Sequence, residues 1–249
     1  MKLGHGTTAV WSAQLRWEPR ITRGPATEGM DVPGTRATSS VDLAEQLEEE
    51  IVLGLRYPRE RLVEDDLMAR FDAKRHAVRS ALRELETRGL AERRPNAGAF
   101  VRSYTAKEVR DLYAVREILE VSAARMIDLP AAEGCVEELT ELQHRHDSAI
   151  EAGDLRAVVR ANMAFHDALF ALTDNTVLTQ TIRRHARMAH AMRSVTVTSP
   201  DFLDRSRREH WTMIEALRGG DPDLLADTCR AHLLPSRDAY LSRVAGALD

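Results

Sequence analysis

Leu62-Val63-Glu64-Asp65-Asp66-Leu67-Met68-Ala69-Arg70-Phe71, then Lys74-Arg75-His76-Ala77-Val78-Arg79-Ser80-Ala81-Leu82-Arg83-Glu84-Leu85-Glu86, is the stretch whose reading decides the fold. Leu67, Met68 and Phe71 give the first segment one apolar side, and Val78, Leu82 and Leu85 do the same for the second. The spacing predicts a helix over 64–71 and another from about 75 to 88, stopped by Gly89. Upstream, Leu43, Leu47, Ile51 and Leu55 recur every fourth residue and predict a helix over 41–55, with Ser40 as its cap. Downstream, residues 90–102 place two short β-capable ends around Pro95-Asn96-Ala97-Gly98, the pattern of a small hairpin. Three short helices followed by a hairpin is the layout of a winged helix-turn-helix.

Charge is divided along this unit in a way that serves such a layout. Between Asp42 and Asp72 stand 4 Arg and 10 acidic residues, whereas Lys74 to Arg102 holds 8 Lys or Arg and 3 Glu. A helix entering the major groove offers its first residues to base edges, and arginine can bridge guanine O6 and N7. Lys74, Arg75, His76 and Arg79 stand at that end. Arg93 and Arg94, with Asn96 and Gly98 in the hairpin turn, could meet phosphates or the minor groove. On charge alone a solvated face balanced by Glu84, Glu86 and Glu92 is an equal reading.

Beyond Tyr104 the chain turns wholly helical. Thr105-Ala106-Lys107-Glu108 fits a capping box, and further helical stretches run over about 131–152, 155–172, 176–195, 202–218 and 222–247. Residues 1–38 are rich in Gly and Pro without apolar period, which predicts a disordered N-terminal extension. The organisation expected is therefore 1–38 disordered, 39–103 winged helix-turn-helix, and 104–249 an all-α bundle. The fold class is mainly α.

Composition agrees. At 249 residues the chain suits two compact domains. A net charge of −4 excludes a uniformly basic polyelectrolyte, so nucleic-acid binding must come from a local face. Two cysteines, Cys135 and Cys229, cannot build a disulfide framework and include no Cys-x-x-Cys pair. No stretch approaches the roughly 18 apolar residues of a spanning helix, and the N-terminus lacks the order of a secretory signal. A cytoplasmic protein without membrane contact is expected.

The run from Leu62 to Glu86, with Gly89-Leu90 and Arg93-Arg94-Pro95-Asn96-Ala97-Gly98-Ala99-Phe100-Val101, strongly resembles the DNA-binding domain of the GntR family of bacterial transcription regulators. The match covers about sixty residues. At the entrance of the recognition helix the family usually has Ser-Arg-Thr-Pro-Val-Arg, where this chain has Lys74-Arg75-His76-Ala77-Val78-Arg79. Both arginines are kept and the serine cap is not, so Asp72 is expected to cap instead, and His76 is expected to alter the bases preferred.

Among nine histidines, Asn162 and His166 stand four apart on one expected helix face, with His210 and His232 on two later helices. Donors on neighbouring helices can converge on one cation, although by spacing alone packing is the stronger reading of three scattered histidines. The runs Leu112–Glu120, Asn162–Leu169, Glu209–Asp221 and Ala231-His232-Leu233 resemble the helical FCD effector domain of the FadR subfamily. That resemblance implies a divalent metal, zinc or nickel by its imidazoles, held by Asn162, His166, His210 and His232. Asp is the commoner residue at the position of Asn162. It also implies a small carboxylate effector met by Arg116, for which a plain pair with Glu120 is the alternative; Arg183, Arg184 and Arg187 are weaker candidates. The whole implies no enzyme but a ligand-responsive regulator, read as a repressor, homodimeric on a palindromic double-stranded DNA operator. A metal-dependent hydrolase, whose one base at hand, Glu209, directly precedes a proposed ligand and so is expected to point elsewhere on its helix, and a protein-binding adaptor are the alternatives.

Overall fold

The computed structural model describes residues 39–194 and 196–245, so the expectation of disorder over 1–38 lies outside the described residues. The N-terminal unit is α1 (Ser40–Val52), β1 (Arg61–Leu62), α2 (Glu64–Phe71), α3 (Arg75–Thr87), β2 (Ala91–Arg94) and β3 (Gly98–Val101). The bundle is α4 (Ala106–Met126), α5 (Glu133–Glu151), α6 (Leu155–Ala171), α7 (Thr176–Met188), α8 (His190–Arg193), α9 (Pro200–Gly219) and α10 (Pro222–Ala245). The mainly helical winged architecture read from the sequence is the one observed. No helix among the described residues is long and apolar enough to cross a membrane.

Caps set most boundaries. Ser39, one residue before the expected Ser40, starts α1 in a capping box with Asp42. Thr105 and Glu108 form the expected box at α4, and Asp221 accepts the Leu224 amide at the start of α10. Leu43, Leu47 and Ile51 are buried on one side of α1, but Leu55 is 53% exposed because the helix ends at Val52 and Gly54 turns left-handed at φ 70°. Asp72 does not cap α3. It takes a left-handed φ of 47° as the residue closing α2, and α3 starts at Lys74 with no side-chain cap.

The wing is a three-stranded antiparallel sheet in the order β1-β3-β2, with Leu62 opposite Ala99 and Arg93 also opposite Ala99 from the other side. A two-residue strand has no period to read, so β1 was not expected from the sequence. Asn96, at φ 57°, turns the hairpin. The single helix expected over 176–195 is broken at Ala189 into α7 and α8.

Two apolar clusters hold the structure. One lies within the bundle around Phe165, Leu169, Met213, Ile214 and Leu217. The other begins under α1 and α3 and continues past residue 103 into Ala189 at the bend before α8, Met192 of α8, and Leu233 and Tyr240 of α10. Tyr104 sits at this crossing: its hydroxyl donates to the Gly89 carbonyl at 2.6 Å, and its backbone meets the Tyr240 hydroxyl. Gly89 has φ 74°, and a Cβ there would lie 2.9 Å from that Tyr104 hydroxyl, so α3 must end in glycine.

Polar groups cross the same junction. Glu48 on α1 accepts from Arg88 Nη1 at 2.5 Å and from His190 Nδ1 at 2.7 Å, and the three residues are 5%, 9% and 2% exposed. Burial works to raise the Glu48 carboxyl, but its bonds to His190 and Arg88 and their charges outweigh burial and hold it at about 2. Burial also keeps His190 below its ordinary value. At neutral pH His190 therefore gives Glu48 a hydrogen bond, and Arg88 supplies the charge. Glu48→Ala would strip a buried guanidinium of that partner, and urea denaturation should show a loss of roughly 3 kcal/mol; a loss under about 1 kcal/mol would mean that Glu84, the other partner of Arg88, suffices.

Candidate reading surface and ligand cavity

α3 packs Ala77, Val78, Ala81, Leu82 and Leu85 inward, which turns Lys74, Arg75, His76 and Arg79 outward at its first turns; all four are exposed. Arg75 pairs with Asp65 at 2.7 Å and Arg79 with Glu64 at 3.0 Å, both acids lying on the first turn of α2. Side chains of both arginines keep about half their surface in solvent. Exposed pairs of this kind are worth about 0–1 kcal/mol, so they orient the guanidinium groups while leaving them available. Arg93 and Arg94 are exposed on β2, pairing with Glu86 and Glu92, and Arg94 lies 4.4 Å over the Phe100 ring. Asn96 is exposed at the hairpin tip, and Gly98 opens β3. The residues singled out in the sequence thus lie on the first turns of α3 and on the β2–β3 hairpin of the winged unit.

Inside the bundle the three histidines meet. His166 Nε2 lies 3.1 Å from His232 Nε2 and 3.3 Å from His210 Nε2, so α6, α9 and α10 each bring one ring nitrogen to a common point. Two of the three are held from behind, whereas His166 Nδ1 is buried with no hydrogen-bond partner among the described residues. His210 Nδ1 donates to Gln143 Oε1 at 2.7 Å, and Gln143 Nε2 donates onward to Asp147, which settles the amide orientation. His232 Nδ1 donates to Glu209 Oε2 at 2.7 Å. With Nδ1 engaged in this way, Nε2 is the atom each ring turns toward the common point and the one a metal would take. Burial, with neighbouring positive charge adding to it, drives His166 and His210 well below their ordinary values, which keeps them neutral. Nitrogen donors at about 2.0–2.1 Å from a tetrahedral zinc stand about 3.3 Å apart; the spacing here matches, so the donor set fits a divalent ion.

Through His232 the cluster borders a cavity lined also by Arg116, His146, Asn162, Arg193 and Glu209. Asn162 lies one turn before His166 on the same side of α6 and faces this cavity. Arg116 makes the pair with Glu120, Nε to carboxylate at 2.8 Å, and its side chain also lines the cavity. Burial opposes its charge, but Glu120 outweighs that and raises Arg116 above its ordinary value. Arg193 has no such acid, and burial followed by the facing Arg116 charge pulls it down to about 10. Glu209 does face the cavity, but its carboxylate is engaged behind His232 and with Arg205 at 2.7 Å.

Sequence reasoning missed Gln143, His146 and Arg193. Gln143 and His146 stand three apart on α5 and are both buried, a polar pair inside an apolar stripe that could have marked them. Arg193 had no such signal.

Comparison with known proteins agrees with the geometry. Residues 39–101 match the model described as bacterial regulatory proteins, gntR family, and residues 111–234 match the FCD domain. The HTH-type transcriptional regulator YdhC of Bacillus subtilis (strain 168) is 29% identical over 75% of this chain and 84% of its own length. The HTH-type transcriptional repressor RspR of Escherichia coli (strain K12) is 27% identical over 75% of this chain and 82% of its own length. Escherichia coli McbR/YncC shares the fold, with a TM-score of 0.67 at 18% identity over 84% of this chain and 98% of that one.

His146 is held at about 4 by burial, so it and the two cluster histidines resist protonation when folded. The unfolded chain takes up protons first, at about pH 6.5, and stability must fall as pH drops below that value. For His146 alone the loss by pH 4 is roughly 3 kcal/mol. Metal-free protein followed by urea denaturation from pH 7.5 to 5 should lose stability, and His146→Asn should flatten the dependence; equal slopes would count against this account.

Proposed function

Because the chain belongs to the GntR family of bacterial regulatory proteins and carries an FCD domain, it is a DNA-binding transcription regulator, and we propose that it is a cytoplasmic homodimeric repressor released from a palindromic operator by a small carboxylate. In this reading Lys74, Arg75, His76 and Arg79 reach base edges, while Arg93, Arg94 and the turn from Asn96 to Gly98 meet the DNA backbone or minor groove. On binding, Glu64 and Asp65 give up Arg79 and Arg75 to the DNA at little cost. A two-fold dimer reads a two-fold site. Ile118, 67% exposed, and Val115 on the same side of α4 offer an uncovered apolar strip that supports self-association.

Asn162, His166, His210 and His232 would hold a divalent ion, zinc or nickel, in the bundle. When bound, such an ion supplies a positive centre with open positions for a carboxylate oxygen. Arg116 neutralises part of the ligand's charge and His146 stays neutral beside it. The observation that carries ligand responsiveness is the path leading away from the cavity. His190 lines a neighbouring cavity that shares Arg116, Asn162 and Arg193 with the first and is bonded to Glu48, which in turn holds Arg88 at the foot of α3. Moving His190 changes what holds the reading helix. A switch of this kind requires different effector affinity in the two arrangements.

Two experiments test the reading. Electrophoretic mobility shift on DNA upstream of the chain's own gene should show salt-sensitive, sequence-preferring binding. Arg79→Ala should weaken it by about ten-fold or more without altering the circular dichroism spectrum; undiminished binding would remove Arg79 from the interface. For the metal, chelator-stripped protein without a histidine tag should melt several degrees higher in zinc or nickel at a hundred times Kd, an increment of roughly 2.7 kcal/mol. His210→Ala should abolish the rise, and an unshifted wild type would remove the ion.

A further inference from the structure

Behind His166 lies a second cavity, between α4, α6, α7 and α8. Its charges do not balance. Arg116, Arg183, Arg187 and Arg193 line it against Glu120 and Asp167. Glu120 is taken by Arg116, and Asp167 by Arg183 at 2.9 Å. Arg187 and Arg193 remain. Arg187 Nε is buried without a hydrogen-bond partner, and neither guanidinium has an ion pair among the described residues. Arg187 also borders the groove of Glu45, Glu48 and Glu49, yet none of those carboxylates comes within ion-pair distance.

Two part-buried guanidinium groups without an ion-paired acid among the described residues are an arrangement that an incoming anion would complete. Both groups come from one local feature. The break at Ala189 sends Arg187 from the last turn of α7 and Arg193 from the end of α8 into the same space. Arg116, Asn162 and Arg193 line both this cavity and the one the histidine cluster borders, so a short molecule can occupy the two together.

We propose that Arg187 and Arg193 form a second anionic subsite and that the effector is a small dicarboxylate, one carboxylate toward the histidine cluster and the other held by these two arginines. The inference rests on the preceding reading of a carboxylate bound near a metal. Arginine forks pair carboxylates through two parallel hydrogen bonds, and the connecting carbons lie along Asn162 and Arg116. Because the subsite is charged before the ligand arrives, the unliganded protein carries unpaired charge, and dicarboxylate binding should relieve it.

Isothermal titration on the full chain, stripped and reloaded with zinc, distinguishes the cases by comparing succinate with butyrate and glutarate with valerate. The expected result is a dicarboxylate about ten-fold or more tighter than its length-matched monocarboxylate. Arg187→Met, at a residue that lines the second cavity and not the first, should keep monocarboxylate affinity within about two-fold, and the double variant Arg187→Met/Arg193→Met should lose the dicarboxylate advantage. Its ligand-free melting temperature should hold or rise, since unpaired part-buried charge has gone; a fall of several degrees would make the arginines structural and overturn the subsite. Arg187→Gln alone gives the same comparison at half the perturbation. Equal affinity for the paired acids overturns the subsite while leaving the carboxylate effector standing. Phosphoglycolate bound more tightly than succinate overturns the dicarboxylate in favour of a phosphate. Heat from none of these acids removes the parent reading, and the subsite with it.

Discussion

The Glu48 carboxylate is one buried negative charge answering to two masters, a guanidinium at the end of α3 and an imidazole at the start of α8. A carboxylate in a dry environment needs its acceptor positions filled, and here they are filled from opposite sides of the junction. Neither half can move far without uncovering it. α1 therefore belongs by sequence to the winged unit and by packing to both. On its neighbouring residue, Glu49 takes Arg156 and Arg160 of α6, a second tie between the same two parts. The apolar cluster around Leu43, Met192 and Leu233 excludes water from this tie, which is what gives the polar contacts their strength.

The bundle's interior shows a different use of polar burial. Gln143 and Glu209 do not face the point where the three Nε2 atoms meet; they act from behind, choosing a tautomer and fixing a ring angle. Asn in place of Asp at position 162 removes one negative charge from a cavity already bordered by Arg116 and Arg193. The electrostatic character of the space follows from that one amide as much as from the arginines. It is positive and largely neutral in its histidines, and suited to anions over cationic or apolar guests.

What the sequence disclosed divides along physical lines. Helices with sustained four-residue periods and capping residues were legible to within a few positions, as were the outward face of α3 and the meeting of His166, His210 and His232, the last only through family likeness. Features depending on distant partners were not. Glu48 and His190 are 142 positions apart, and the acidic run from Glu48 to Glu50 reads as a solvated face until its partners are known; Glu50 too is buried, against Arg56 and Arg70. The break at Ala189 leaves no glycine or proline to announce it. Arg193 looked like any surface arginine because nothing local says that a helix end will be enclosed.

The position of Tyr104 has a consequence for building chimaeras. Residue 103 looks like a natural seam for grafting a different reading unit onto this bundle, yet the Tyr104 hydroxyl is anchored to Gly89 on one side of the seam and its backbone to Tyr240 on the other. A transplanted head brings its own version of positions 48, 88 and 89, which the recipient's His190 and Tyr104 were not selected to meet. Modular exchange at this boundary succeeds only when those few junction residues travel together, so the separability of the two halves is a property of a handful of side chains and not of the linker between them.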